Sequence, residues 1–165
     1  MKRLAIAALL SVIASQASAA PAACYTEQQY RAEQAIRYHT RLMIIGMRCQ
    51  RVLAQPTAYS DYNAFTKRNQ TVIHSQENQL IAYFKAHKVK QPEMALHSLR
   101  TDMANSMSMQ ANGPAVVSFC KNYAGTLQQA KTMKPADFQK WITQISLQTP
   151  ETSSKPLCAA AQRKR

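Results

Sequence analysis

The sequence predicts an all-α protein: an up-down antiparallel bundle of four main helices plus a shorter fifth, stapled by two disulfides. Three observations carry this. Apolar residues recur at three- and four-residue spacing over most of positions 27–147. Glycine occurs only three times, and no hairpin signal stands between alternating apolar residues. Four cysteines, Cys24, Cys49, Cys120 and Cys158, follow an export leader.

The leader is read first. Lys2 and Arg3 give a positive start, and Leu4 to Ile13 is an apolar run. Ala17-Ser18-Ala19 then supplies the small residues a signal peptidase reads. Residues 1–19 are therefore expected to be a cleaved Sec signal peptide. The run falls short of the roughly 20 apolar residues of a membrane anchor, and no later segment is longer. A lipid-modified Cys24 is a rival, but Pro21 stands where a lipoprotein signal has Leu. The expected setting is periplasmic or secreted, in a bacterium, without an integral membrane span.

Residues 20–147 form the expected bundle domain, long enough for one core. Helix one is predicted from Glu27 to Leu53, opened by Thr26 and Gln29 in capping-box spacing. Its apolar face carries Tyr30, Ile36, Met43 and Met47. Pro56 ends it. Helix two runs from Tyr59 to His87, with Tyr62, Phe65, Ile73, Leu80 and Phe84 on one stripe and a break expected near Asn69. Helix three starts at Pro92 and reaches Gln110, with Leu96, Leu99, Met103 and Met107 inward. Asn112-Gly113-Pro114 reads as a stop followed by a start. Helix four then covers Pro114 to Met133, and helix five Pro135 to Leu147. Residues 148–165 read as an irregular basic tail tethered by Cys158.

Helix geometry selects the disulfide pairing. Cys24 and Cys49 flank one helix and would stand roughly 37 Å apart at 1.5 Å per residue. A bridge needs Cα atoms about 6 Å apart. Cys49 and Cys120 lie at matching depth near the tops of their helices, which leaves the tail to bring Cys158 to Cys24. The expected bridges are Cys49–Cys120 and Cys24–Cys158. No C-x-x-C occurs, so neither a redox pair nor a c-type haem attachment is encoded.

The chain carries 21 basic and 8 acidic residues, a net charge of +13. Without Lys2 and Arg3 the excess is still large. Such a surface attracts anionic partners at low salt. In the envelope these are acidic lipid or lipopolysaccharide, with a periplasmic protein as the other partner class. No specific nucleic-acid binding is expected. Lys85, Lys88, Lys90, Lys131 and Lys134 end helices at one pole of the sketched bundle, where Arg163, Lys164 and Arg165 would join them. The same lysines also complement helix macrodipoles.

Two constellations compete with this reading. Glu33, His39, His74 and Glu77 fall at similar heights on helices one and two, so a buried polar cluster is expected. It would serve helix register, proton sensing or an enzyme site. His39, Met43 and Met47 recur at four-residue spacing, as do Met103 and Met107. Thioether and imidazole ligands suit Cu(I), while Met at helical spacing also serves as core filler. No HExxH, GxSxG or P-loop string occurs, so no catalytic site is assembled and no cofactor is called for. The expected function is a non-enzymatic binding or structural role. A Met/His copper carrier and an enzyme using the polar cluster are the alternatives.

Overall fold

The computed structural model describes residues 23–145, 147 and 152–158. The expected leader, residues 1–19, therefore lies outside the described residues, as do Arg163, Lys164 and Arg165. Six α-helices are present among the described residues, with no strand: α1 (Glu27–Arg48), α2 (Ala58–Arg68), α3 (Gln70–Ala86), α4 (Pro92–Gln110), α5 (Val116–Thr132) and α6 (Pro135–Gln144).

The hub is α1. It packs against each of the other five helices. Thirteen of its 22 residues are buried, on every side of the helix rather than on one stripe. Its start is the expected capping box. The Thr26 hydroxyl accepts from the Gln29 N–H at 3.3 Å, and the Gln29 side chain accepts from the Thr26 N–H at 2.9 Å. Its end comes earlier than Leu53. Residues 49–54 continue as turns, and Ala54 closes them in the left-handed region at φ 51°. Gly46 lets α2 come close: a Cβ there would meet the Tyr59 Cα at 3.1 Å and the Ala58 carbonyl at 3.2 Å.

The expected second helix is two helices, parted at Asn69. Asn69 is fully buried, and its side chain donates to the Phe65 carbonyl at 3.0 Å and the Met133 carbonyl at 3.3 Å. Beside it, Arg68 donates to the carbonyls of Ala130, Lys131 and Met133 at 2.9, 3.0 and 3.0 Å. The break is thus where the C-terminal end of α5 docks and has its orphan carbonyls satisfied. Arg31 does the same for α6, donating to the carbonyls of Ile142, Thr143 and Ile145. This cap ends α6 at Gln144 rather than Leu147. The expected fourth helix opens with a 3-10 turn, Gly113–Ala115, because Gly113 takes φ 53° and Asn112 caps it.

The core is centred on aromatic rings. Tyr38 of α1 meets Trp141 at 4.6 Å and Phe138 at 5.8 Å, and Phe138 meets Phe65 of α2 edge-on at 5.2 Å.

Two cysteine pairs stand at disulfide distance: Cys24 with Cys158 (S–S 2.01 Å) and Cys49 with Cys120 (2.07 Å). The first belongs to a strap, residues 152–158, that is without helix or strand apart from one isolated bridge. Tyr25 and Leu157 form a parallel bridge, with the Tyr25 N–H donating to the Pro156 carbonyl and the Cys158 N–H to the Tyr25 carbonyl.

Candidate functional site

The expected basic pole is split. Lys85, Lys88 and Lys90 close α3 and the turn after it, with Lys85 3.5 Å from Glu93. Lys131 and Lys134 lie instead at the α2–α3 junction, where Arg68 caps α5. Lys131 pairs with Asp61 near the start of α2 at 3.2 Å. The 17 residues of α3 separate the two groups by about 25 Å. The physical reason is length: α5 is much shorter than α2 and α3 in series, so it ends halfway down.

The four residues of the expected polar cluster have different partners. Glu33 is fully buried. It pairs with Arg37 at 2.6 Å and accepts from the backbone N–H of Ser154 at 2.9 and 3.2 Å, and from the Ser154 hydroxyl. Glu33 is therefore the anchor of the strap. His74 is 60 % exposed and reaches only Glu77 and Gln70 on its own helix. Glu77 turns to α4 and pairs with Arg100 at 2.6 Å. Height already separates His39 from His74: α1 ends at Arg48 rather than Leu53, so His39 meets Thr66, eight residues and about 12 Å before His74.

His39 is 3 % exposed, stacked on Tyr62 at 5.3 Å, with Nε2 2.9 Å from the Thr66 hydroxyl. That hydroxyl already donates to the Tyr62 carbonyl, so it accepts from His39 Nε2–H. Nδ1 is then a bare buried lone pair, and no partner meets it. Burial, aided by the charge of Arg100, lowers the His39 pKa to about 4.

The residues of the expected Met/His set differ in exposure. Met47 is 48 % exposed, whereas Met103 and Met107 are buried. Met43 is partly buried against the core. Met107 lines a cleft with Arg37 and Arg41, about half a helical turn from His39 on α1. Among the described residues, no three His, Cys, Asp or Glu side chains come together as a metal site.

That cleft is one of several concavities of about 360–380 Å³ among the described residues. It lies between α4 and α5, with α1 as its floor, and encloses about 360 Å³. Arg37 and Arg41 supply the floor, and Ser106, Gln110, Phe119 and Tyr123 the walls. The Arg41 guanidinium lies 4.9 Å from the Tyr123 ring centroid, and Tyr123 meets Phe119 at 4.9 Å. Sequence reasoning did not single out these residues. The available signal was Glu33-x-x-x-Arg37-x-x-x-Arg41, three charges on one face of a helix that is otherwise core.

No helix among the described residues is long and apolar enough to cross a membrane. The chain matches no protein family, no curated protein and no solved structure.

Proposed function

We propose that the chain is an exported, disulfide-braced helical bundle, its rods alternating up and down, that binds an anionic envelope component. Acidic phospholipid and lipopolysaccharide share the relevant chemistry, a dense field of phosphate. One observation supports the reading above the others. Five of the eight carboxylates already have partners inside the chain: Glu33, Asp61, Glu77, Glu93 and Asp137. Exposed cations, among them Arg48, Arg51, Lys67, Lys88, Lys121 and Lys140, are left to face solvent on several sides. The positive excess is thus a surface property and not an artefact of counting, and it draws polyanions from a distance.

The test is co-sedimentation with vesicles of phosphatidylglycerol in phosphatidylcholine, repeated with lipopolysaccharide. Binding is expected to fall steeply as salt rises from about 50 to about 500 mM, because the Debye length shrinks to a few ångströms. Binding that ignores salt, or its absence at low salt, would discard the proposal. The enzyme alternative lacks its cluster, since His74 bonds Glu77 on its own helix and Glu77 pairs with Arg100 of α4.

A further inference from the structure

We infer that the cleft framed by α1, α3 and α6 is a site for a small, neutral, polyhydroxylated molecule, a sugar of one or two rings. It encloses about 380 Å³, at the scale of small-molecule sites, roughly 300–1,000 Å³. Each helix sends it a pair of polar side chains at three- or four-residue spacing, which places the pair on one face. Gln28 and Arg31 come from α1, Gln76 and Gln79 from α3, and Gln139 and Thr143 from α6. Gln76 is 6 % exposed, yet its amide has no hydrogen-bond partner among the described residues. The other buried amides are used: Asn69 donates to two carbonyls, and Gln34 to the Thr152 carbonyl. An unused buried amide is costly, and a ligand hydroxyl in the cleft would relieve it.

The chemistry of the lining selects the ligand. A side-chain amide both donates and accepts, and so does a sugar hydroxyl, whereas an ionised carboxylate only accepts. Glu27 and Arg31 bring one charge of each sign, and Arg31 Nη1 already donates to three carbonyls at the end of α6. The lining is thus neutral overall in a strongly basic chain. No aromatic ring is among the lining residues, so a flat aromatic ligand would find nothing to stack on. Ile142 is the one apolar side chain in the lining, so the cleft offers hydrogen bonds rather than apolar contact. This site is separate from the surface attraction proposed above and does not depend on it.

Saturation-transfer NMR and titration calorimetry of the full disulfide-bonded chain with glucose, galactose, N-acetylglucosamine, maltose and cellobiose test it. At least one sugar should saturate a single site with a Kd of about 1 mM or tighter. That binding should stay within about twofold between about 50 and about 500 mM salt, because the ligand is uncharged. Gln76→Leu should weaken it by at least about tenfold while leaving the urea midpoint unchanged or higher, since it removes a buried amide that the fold does not use. Ser75→Trp, from an exposed position on α3 that lines the cleft, should abolish binding by filling the space. The inference is overturned if no sugar saturates, if the peptide mimic N-acetylalaninamide binds as tightly as the best sugar, or if binding falls steeply with salt. It is equally overturned if binding survives Gln76→Leu or Ser75→Trp. Should Gln76→Leu fail to fold, Ser75→Trp decides alone.

Discussion

On one flank α1 meets aromatic rings; on the other it meets a strap of backbone. Tyr38 faces Phe138 and Trp141, and Cys49 is joined to Cys120 of α5 along apolar packing. Glu33 and Gln34 face residues 152–154 instead, through hydrogen bonds to main chain, and Cys24–Cys158 closes that seam. The aromatic flank is specified by shape and tolerates small adjustments of many contacts. The strap flank is specified by a few bonds around one buried carboxylate, and each of those is needed.

The comparison breaks most visibly at Glu33. Glu33→Ala leaves the Arg37 charge without its carboxylate and strips Ser154 of its acceptor. The expected loss is about 3–5 kcal/mol, read as a lower urea midpoint with an unchanged slope. Glu33→Gln should cost less, because an oxygen remains to accept from Ser154. A loss below about 1 kcal/mol for the alanine variant would show that water satisfies Arg37 and Ser154.

The disulfides come next. The bridges close sequence separations of 134 and 71 residues, for which chain entropy assigns each a similar contribution of about 4–5 kcal/mol. Their local effects should nevertheless differ. Replacing Cys24 and Cys158 by Ser is expected to free the strap, so that amides of residues 152–158 exchange quickly while α1 stays protected. Replacing Cys49 and Cys120 should lower protection across α1 and α5 together. Loss of protection throughout the molecule in the first variant would make the strap part of the core unit.

Much of this architecture is legible in the sequence, and the residues show why. The helices follow from periodicity, the Thr26 cap from its spacing to Gln29, and the break at Asn69 from a polar cluster inside a stripe. The height argument selects the same two cysteine pairs that stand at bonding distance. Height along a rod is a one-dimensional quantity, and spacing supplies it. Rotation and docking are not in the spacing. The height estimate for the polar residues also fails, because α1 stops five residues short of Leu53: His39 meets Thr66, and Glu33, His74 and Glu77 have separate partners. The strap was unreadable because its pairing is a single bridge to Tyr25 in a segment without period. Arg31 and Arg68 were read only as charge, since the carbonyls they cap lie over 60 residues away.

The smallest effect expected is the one that sharpens the contrast between the flanks. Glu33 has every oxygen engaged, whereas His39, on the aromatic side, has one ring nitrogen bonded and one bare. Burial holds the His39 pKa at about 4 in the folded chain, against 6.5 for an ordinary histidine. The unfolded chain therefore binds a proton that the folded chain refuses. The resulting stability is complete above about pH 6.5, declines as pH falls, and is gone near pH 4, where both states are protonated. It amounts to at most about 3 kcal/mol. His39→Gln removes this titration and keeps a donor for Thr66, so its urea midpoint should fall less than the parent's between about pH 7 and pH 4. Equal declines would mean that His39 takes up its proton without unfolding, and that the aromatic flank opens more readily than its packing implies.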